Sequence, residues 1–376
     1  MNLLNICDSS DWSDLERQVL KISLEQEKHG CGVTLLCRAE SILEKKAREL
    51  PLTVVSFPDS RWRAPLKIAR LLNSTDFAVI HAYSWTDLNH LSLAIKLNKW
   101  QGKLFYTHQT LFQERMTDTI WRRVVAPLNR VFAISHMHRQ NLQANGPTLP
   151  CPVEVLPHSV DLQRFNPDFY RRLDIRETLL LDPETLLISI FGEICPANGQ
   201  LDFLKAAAII KRKSRKKVMF LIVGAANPKN ADYEKELHRQ TLTELDLEQD
   251  IIWAGYRENT PELMKASDIL MVPTHQTGNE MTVLAAMAMR LPVVAYNFAG
   301  IPDIMENHQT GLWVLPGDFD NLADAVIKLV HNQRLRQHYG LSGRIRVEQQ
   351  FDLKNYIANL AKIYESDVPK SKLAEK

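Results

Sequence analysis

The segment THQTGNEMTVLAAMAMRLPVVA, residues 274–295, has the parts of an anion-binding loop. Gly278 would allow a tight turn, and a helix rich in Met and Ala follows it. The first N–H groups of that helix, at Glu280, Met281 and Thr282, would have no acceptor within the helix, and the helix dipole favours an anion beside them. Glu280 is the one carboxylate of the segment. It suits a ligand site, but an acid in the first turn also stabilises a helix without any ligand.

A second candidate loop lies in FGEICPANGQLDF, residues 191–203, where an apolar strand leads through glycines into a helix. Loops of this kind present backbone N–H groups to phosphate. Gly192 and Gly199 lie seven residues apart, which is not the GxGxxG spacing of dinucleotide-binding enzymes. The spacing therefore argues against a nicotinamide-dependent dehydrogenase. It fits a phosphate loop and an ordinary strand–helix connection equally well.

His108, in LFYTHQTLF, lies just past the predicted strand KLFYT. A histidine at the carboxyl end of a parallel strand is placed to contact a ligand, so His108 is the candidate catalytic residue. A lone histidine is also often structural, and that interpretation stays open. His81, which follows FAVI at a comparable strand end, is the weaker candidate. The sequence has no Cys/His cluster with metal-ligand spacing, and it predicts no metal site.

The elements that must position these residues are apolar runs that alternate with helical patterns. Such strands, buried on both faces, predict parallel sheets with helices on each side. The pattern restarts after the polar segment 161–185, so we expect two doubly wound domains, residues 1–165 and 175–350, that face a cleft. A helix at about residues 351–366 is predicted to pack back on the first domain. The predicted strands are LLNIC, VTLLC, LTVV, FAVI, KLFYT, VFAIS, VEVL, LLISIFG, VMFLIVG, IIWAG, DILMVP and PVVAY.

The composition is that of an ordinary globular protein, with 376 residues, 45% hydrophobic content and a net charge of +2. This total gives no reason to expect a nucleic-acid partner. The N-terminus MNLLNICDSSDW lacks a basic n-region, and no apolar run approaches the ~18 residues of a spanning helix. Five cysteines without a CxxC pair fit a reducing compartment. We therefore expect a cytoplasmic protein, peripheral on the inner face of the membrane if it meets lipid.

Residues 61–140 form a basic region, with twelve Lys or Arg residues and four Asp or Glu residues. Trp62, Trp85, Trp100 and Trp121 are interleaved with these charges. A basic, Trp-bearing face can dock on anionic lipid headgroups. The same pattern fits a solvated surface with Trp packed beneath it. Contact with an anionic membrane through this region is thus one of two open interpretations.

The order of the motifs along the chain resembles family 4 glycosyltransferases of the GT-B fold. The resemblance covers essentially the whole second domain, with its motifs in the family's order, and it covers the first domain more loosely. It implies two Rossmann-like domains, of which the C-terminal one holds a nucleotide sugar as co-substrate, with no cofactor and no metal. It also implies transfer with retained configuration to a lipid-linked or polysaccharide acceptor. The motifs that carry it are VLPHSVDLQRFNP, FGEICPANGQLDFLKAA, FLIVG, IIWAGY, ASDILMVPTHQTGNEMTVLAAMA, RLPVVAYNFAGIPDIM and TGLWVLPGD.

Position by position, the resemblance departs from the family pattern where the donor is bound. Glu193 and Asn198 stand where the family has the Arg and Lys that clamp the diphosphate. Thr277 and Ala285 stand where it has two glutamates, one near the donor sugar and one at the ribose. His108 keeps the position of the family's sugar-orienting histidine. The turn DSSDWSD, residues 8–14, replaces a Gly-rich turn.

The resemblance implies one donor-site set on the second domain, with Tyr256 and Arg257 near the base. The predicted residues are Gly192, Glu193, Asn198, Tyr256, Arg257, Thr277, Gly278, Asn279, Glu280, Met281, Thr282 and Ala285.

Three functions remain open at this point. The first is a retaining glycosyltransferase. The second is a catalytically inactive GT-B protein that binds an active transferase or a glycan, since losing one preorganised group typically costs about 10² to 10³ in rate. The third is a sugar-nucleotide epimerase on a related two-domain frame. It would need catalytic carboxylates that the sequence does not reveal.

Overall fold

The computed structural model describes residues 1–57, 63–116, 118–275 and 279–368, with backbone only for residues 118–120. The chain divides into two compact units. Unit 1 consists of Met1–Pro157 and Leu353–Lys376, and unit 2 of His158–Asp352. Each unit has its own parallel sheet.

Among the described residues of unit 1, seven parallel strands pair in the order β3-β2-β1-β4-β5-β6-β7. The strands are β1 (Asn2–Cys7), β2 (Gly32–Cys37), β3 (Thr53–Ser56), β4 (Val79–Ala82), β5 (Lys103–His108), β6 (Leu128–Ala133) and β7 (Val153–Val155). The helices between them are α1 (Asp14–Lys28), α2 (Ile42–Arg48), α3 (Ala64–Ser74), α4 (Trp85–Asn98), α5 (Asp118–Val125) and α6 (His136–Asn145).

Unit 2 contains six described parallel strands in the order β10-β9-β8-β11-β12-β13. They are β8 (Leu186–Phe191), β9 (Val218–Val223), β10 (Ile251–Gly255), β11 (Ile269–Val272), β12 (Val293–Tyr296) and β13 (Gly311–Val314). The helices are α7 (Arg172–Thr178), α8 (Gln200–Lys213), α9 (Ala231–Thr243), α10 (Thr260–Ala266), α11 (Glu280–Ala288), α12 (Ile301–Ile304), α13 (Phe319–His331) and α14 (Gln333–Gln350). With two doubly wound parallel sheets, the predicted fold class is confirmed.

Local sequence explains where the first helices begin and end. Ser13 caps α1 in a capping box, in which its side chain and that of Glu16 satisfy the N-terminal N–H groups. The chain leaves α1 through Gly30, whose φ of 83° lies in the left-handed region that glycine adopts without strain. Ser84 and Asp87 form the same box at α4. These caps fix the points at which the chain turns away from the ends of β1 and β4.

The last helix, α15 (Leu353–Asp367), belongs to unit 1. Its apolar face, which includes Tyr356 and Leu360, packs in the same core as residues of β1 and β2. The Tyr364 hydroxyl bonds to the Nδ1 of buried His81. Arg130 donates to both carboxylate oxygens of Asp367 at 3.1 and 2.9 Å. The helix is therefore held by apolar burial, one buried hydrogen bond and a bidentate ion pair.

The segment that follows β7 belongs to unit 2 from His158 onward. Val160 and Phe165 pack in the core of unit 2, although the sequence analysis placed residues up to 165 in the first domain. The Val160 N–H also donates to the Phe351 carbonyl at 2.9 Å. These two apolar side chains explain why the division falls before residue 165.

The described tryptophans of the basic region do not form an exposed face. Trp85 and Trp121 pack against each other with ring centroids 5.3 Å apart. Trp100 donates its indole N–H to the Phe77 carbonyl at 2.9 Å. The interpretation with Trp packed beneath the surface is the right one for these three residues, because each finds an apolar or hydrogen-bonding partner inside unit 1. Trp62 and Arg61 lie outside the described residues.

No helix among the described parts of the chain combines the length and the apolar content needed to cross a bilayer.

Candidate functional site

Gly192 forms the start of the predicted donor site, directly after β8 in unit 2. Its φ of 145° is a conformation that other residues rarely adopt, and a Cβ there would lie 3.4 Å from Asn198 Nδ2 and 3.5 Å from Asn279 Oδ1. Two side-chain amides therefore lie within ordinary contact distance of the backbone at this point. Gly224, at the end of β9, approaches even more closely, since a Cβ there would meet the Gly192 carbonyl oxygen at 1.8 Å. These two glycines allow the loops after β8 and β9 to pack against each other.

Asn198 and Asn279 join the two predicted donor loops through their amides. The Asn279 Nδ2 donates to Asn198 Oδ1 and to Thr274 Oγ1, each at 2.9 Å. The Asn198 Nδ2 donates to the Glu193 carbonyl at 2.7 Å. The structure thus places Gly192, Asn198 and Asn279 in one network at the carboxyl end of the unit 2 sheet. Where the family pattern has a cation, this network offers a neutral amide.

The exposed side chain of Glu193 turns toward the loop after β9. Its Oε1 accepts hydrogen bonds from the amides of Asn227 and Asn230, the latter at 3.2 Å. These two asparagines were not predicted, because they lie more than thirty residues along the chain in a loop without a recognisable motif. Two amide donors hold the carboxylate in place, so its negative charge is fixed beside the loop.

Glu280 is 2% exposed and begins α11, but its carboxylate faces the protein. Its Oε1 accepts the Gly300 N–H, at the start of α12, at 3.0 Å. The side chain therefore links two helix starts within unit 2. The N–H groups of Glu280, Met281 and Thr282 open α11 and, by helix geometry, lack acceptors inside the helix. An acid here could compete with a bound anion for these N–H groups, but one of its carboxylate oxygens is bonded to the Gly300 N–H.

The remaining predicted donor residues occupy three different settings. Ala285, in the middle of α11, is 4% exposed and packs in the unit 2 core. Tyr256 and Arg257 are exposed residues that follow β10, whose last residue Gly255 accepts the Gly224 N–H at 2.9 Å. Thr277 and Gly278 lie outside the described residues.

A second polar cluster at the same edge was missed by the sequence analysis. Asp202, in the first turn of α8, accepts from the Tyr296 hydroxyl at 2.8 Å and bonds to His275 Nε2 at 2.9 Å. Burial, followed by the hydrogen bond to Asp202, raises the pKa of Tyr296. Only the polar character of residues next to strand ends could have suggested this cluster. It connects α8 to the loop after β11 and to the last residue of β12.

His108 ends β5 in unit 1 and is fully buried. Burial, followed by repulsion from His138, lowers the pKa of His108 to about 3. Its Nδ1 lies 3.2 Å from the Tyr106 hydroxyl, and its Nε2 has no hydrogen-bond partner among the described residues. His138, also fully buried, bonds through Nδ1 to Ser135 Oγ at 2.7 Å. His108 is therefore a neutral imidazole whose Nδ1 is hydrogen-bonded to Tyr106 and whose Nε2 is available to a ligand.

His81, the weaker candidate, has a different environment. Its Nδ1 bonds to the Tyr364 hydroxyl and its Nε2 to Thr107 Oγ1, the latter at 2.8 Å. Burial lowers its pKa to about 3. With both ring nitrogens used inside unit 1, His81 has a structural role.

Charged side chains hold the start of the turn at residues 8–14 in place. Asp8 accepts from Arg38 Nε at 2.9 Å, and the Asp8 N–H donates to Asp87 Oδ1 at 2.9 Å. Burial raises the pKa of Asp87 to about 7, although the N–H groups that it accepts from act in the opposite direction. Side-chain contacts here take the place of the flexible glycines in the family pattern.

A pocket of about 250 Å³ lies at the opposite edge of the unit 2 sheet, beside residues that precede β11 and β12. None of the described donor residues lines it. Its Arg172 is already engaged with Asp268 at 2.7 Å and with two backbone carbonyls. The pocket is thus separate from the predicted site.

The side chains of the two units suit two different kinds of chemistry. Unit 2 presents a glycine, two amides and the start of α11 in one place, which suits an oxyanion held by N–H groups. Among the described residues, no group of three or more His, Cys, Asp or Glu side chains converges as a metal site would require. Unit 1 presents a buried neutral imidazole at a strand end, which suits a hydrogen bond to a polar substrate.

Two family models match the chain. The model described as "Glycosyltransferase Family 4" matches residues 15–164, and the model described as "Glycosyl transferases group 1" matches residues 185–332. The first match lies almost wholly in unit 1 and includes His108, and the second lies in unit 2 and includes Gly192, Asn198 and Asn279.

Curated relatives match over part of their length. The chain is 26% identical over 188 residues to an Escherichia coli UDP-Gal:alpha-D-GlcNAc-diphosphoundecaprenol alpha-1,3-galactosyltransferase, which covers 50% of this chain and 47% of that protein. It is 25% identical over 220 residues to the lipopolysaccharide core biosynthesis mannosyltransferase LpsB of Rhizobium meliloti, with 58% and 62% covered. The chain therefore spans about half to three fifths of the length of these two relatives.

Solved structures match almost the whole chain. Anabaena Alr3699/HepE in complex with UDP and glucose superposes with a TM-score of 0.84 at 20% identity, over 97% of this chain and 100% of that one. A glycosyltransferase from Rickettsia africae gives a TM-score of 0.86 at 17% identity, with 97% and 98% covered. These likenesses establish the fold, and the family models establish the membership. The chain belongs to the family 4, or group 1, glycosyltransferases and has their GT-B fold.

Proposed function

We propose that the protein is a glycosyltransferase of the hexosyltransferase type that moves a sugar from a nucleotide-sugar donor to a lipid-linked or polysaccharide acceptor. The match of both units to transferase family models carries this proposal. The relatives named above transfer galactose or mannose in the synthesis of lipid-linked or lipopolysaccharide glycans, according to their names. Nothing in these comparisons supports the inactive alternative.

The nucleotide diphosphate is proposed to bind at the carboxyl edge of the unit 2 sheet. Gly192 has no side chain to block it, and the Asn198 amide with the N–H groups that open α11 supplies donors. Both N–H hydrogens of the Asn279 amide are donated to Asn198 and Thr274, so Asn279 holds Asn198 in place. Neutral donors hold an anion less strongly than a cation does, because charge-assisted hydrogen bonds are roughly twice as strong. We therefore expect weaker nucleotide binding than a site with the Arg and Lys of the family pattern would give.

His108 is proposed to donate a hydrogen bond from Nε2 to a hydroxyl group of a sugar substrate. In the transfer, the acceptor oxygen forms a bond to the anomeric carbon while the bond from that carbon to the diphosphate oxygen breaks. The leaving nucleoside diphosphate keeps the bonding electrons, and the proton of the acceptor hydroxyl passes to it. Retention of configuration, which the family resemblance implies, requires attack on the face that the diphosphate leaves.

The acceptor is proposed to be membrane-associated. Leu93 and Leu97 of α4 are 50% and 56% exposed, and Lys96 and Lys99 lie exposed beside them. Exposed leucines between lysines suit the boundary of an anionic bilayer. Co-sedimentation with anionic and zwitterionic vesicles tests this contact, and equal binding to both would contradict a charge-driven interaction.

The transfer reaction is tested by incubating the protein with UDP-glucose, UDP-galactose or GDP-mannose and a GlcNAc-diphosphoundecaprenol acceptor. We expect acceptor-dependent release of one nucleoside diphosphate and a product with the anomeric configuration of the donor. His108→Gln should lose most of this release, whereas Gln349→Glu, an exposed change on α14, should keep it. Nucleotide binding without any transfer to the acceptors tried would contradict the assigned acceptor class, and an inverted product would contradict retention.

A further inference from the structure

Tyr106 and His108 lie two residues apart on β5, so their side chains project from the same face of the strand. Both are buried, at 1% and 0% exposure. The Tyr106 hydroxyl is 3.2 Å from His108 Nδ1. Their rings are 5.9 Å apart between centroids. The two side chains therefore form a local pair inside unit 1.

The direction of this hydrogen bond follows from the chemistry of the two groups. Burial, followed by repulsion from Asp87, raises the pKa of Tyr106, so the phenol keeps its proton at neutral pH. A phenol donates this proton where an acceptor lies within reach, and within the described chain His108 Nδ1 is the acceptor found beside the Tyr106 hydroxyl. Because Nδ1 accepts, the single proton of the neutral imidazole sits on Nε2.

The environment of Nε2 shows why this tautomer matters. Nε2 is buried and has no hydrogen-bond partner in the described part of the chain. His81 differs from His108 in this respect, since both ring nitrogens of His81 form hydrogen bonds inside the protein. A buried N–H without an acceptor is costly, so an N–H left in this state is suited to an acceptor supplied by a ligand. Phe112, with its ring centroid 5.1 Å from that of His108, adds an apolar wall on another side.

We propose that Tyr106 is a positioning residue that fixes His108 as the neutral tautomer with its proton on Nε2. His108 then acts as a hydrogen-bond donor to a sugar oxygen and does not accept a proton from the substrate. The inference rests on the proposed function only for the identity of that oxygen. The tautomer itself is a property of the free protein and is measured without substrate.

The test is ¹⁵N NMR of histidine-labelled protein, with the His108 signals assigned by comparison with His108→Gln. The wild-type protein should show a protonated, pyrrole-like Nε2 and an unprotonated Nδ1. In Tyr106→Phe, the ratio of the Nδ1–H to the Nε2–H tautomer should rise about fivefold, the factor that one ordinary hydrogen bond is worth. A wild-type Nδ1–H tautomer would overturn the proposal, as would a Tyr106→Phe spectrum identical to the wild type.

Tyr83→Phe is the matched control. Tyr83 is another buried tyrosine, at 2% exposure, and its hydroxyl has no hydrogen-bond partner in the described structure. This variant should leave the His108 tautomer unchanged, whereas a general effect of removing a buried hydroxyl would appear in both. If a variant fails to fold, the wild-type spectrum alone still decides the tautomer.

A kinetic readout separates positioning from stability. In the transfer assay, Tyr106→Phe should lower kcat by about two- to tenfold, the range that one hydrogen bond is worth, at a temperature where the variant is folded, and Tyr83→Phe should not. An unchanged kcat in Tyr106→Phe would overturn the positioning role. A protein that shows the Nε2–H tautomer and transfers no sugar would contradict the proposed function and leave the tautomer assignment standing.

Discussion

The charge at position 198 should control nucleotide affinity. Asn198 lies in the amide network, where the family pattern has a lysine, and the protein holds this position with a neutral side chain. Replacing it with lysine adds a positive charge, and replacing it with aspartate adds a negative charge at nearly the same size. We expect nucleoside diphosphate affinity to fall in the order Asn198→Lys, wild type, Asn198→Asp.

The size of the effect follows from the surroundings of residue 198. Two unit charges about 4 Å apart interact by about 4 kcal/mol at an effective dielectric near 20, which is an upper value for a half-buried position. Hydrogen bonds to charged groups contribute about 1.5–3 kcal/mol. Allowing for solvent screening, we expect roughly 1.4–2 kcal/mol for each unit of charge, or about ten- to thirtyfold in Kd.

The substitutions should cost little stability, because both partners of Asn198 have a second hydrogen bond. The Glu193 carbonyl also accepts from Gln200 Nε2 at 2.8 Å, and Asn279 also donates to Thr274. Losing the two bonds should therefore lower the free energy of unfolding by about 1–2 kcal/mol. Unfolding in urea checks this value separately from binding.

The assay is calorimetric titration with UDP, GDP and ADP at fixed ionic strength. Gln349→Lys and Gln349→Glu change the charge at an exposed amide on α14 and serve as controls for general electrostatics. If the two Asn198 variants bind nucleotide no differently from the Gln349 controls, the diphosphate does not lie beside Asn198. The amide network would then have a purely structural role.

Three further predictions concern stability. Three buried histidines have pKa values of about 3 to 4, namely His81, His108 and His158. Unfolding therefore takes up protons below pH ~6.5, and the free energy of unfolding should fall with decreasing pH, by up to about 1.4 kcal/mol per pH unit for each histidine. Urea unfolding at two pH values checks this, and a constant value would contradict it. Gly199→Ala, where a Cβ would meet a carbonyl oxygen at 1.8 Å, should cost more than about 3 kcal/mol, and Gly317→Ala, with open space around it, about 1 kcal/mol. Equal thermal shifts would refute this reasoning. Glu280→Gln should leave the unfolding midpoint nearly unchanged, since an acceptor for the Gly300 N–H remains, while Glu280→Ala should cost about 1–3 kcal/mol. Equal losses would show that the hydrogen bond to Gly300 contributes nothing.

The parallel-sheet frame was predictable because its strands are short apolar runs. LLNIC corresponds to β1 and IIWAG to β10, and the helix expected at the end of FGEICPANGQLDF is α8. Strand boundaries shifted by one to three residues: FAVI begins two residues before β4 at Val79, and VFAIS begins three residues after the start of β6 at Leu128. The apolar runs thus located the strands, and the hydrogen bonds between neighbouring strands decided where each strand begins and ends.

The side-chain contacts of the site were less predictable, because they depend on which loops meet. Nothing local to Glu193 indicates that Asn227 and Asn230 bind its carboxylate. The direction in which Glu280 points is likewise set by Gly300, twenty residues away. The pair of Tyr106 and His108 is the exception, since a spacing of two on a predicted strand already places both side chains on one face.

The central claim is that unit 2 holds a nucleotide-sugar donor through neutral amides and backbone N–H groups. The most direct measurement is calorimetric titration of the wild-type protein with UDP, GDP and ADP, accompanied by a thermal unfolding scan. We predict that one of these nucleotides binds with micromolar affinity and stabilises the protein by about 2.7 kcal/mol at ~100 times its Kd. A folded protein that binds none of the three would contradict the claim.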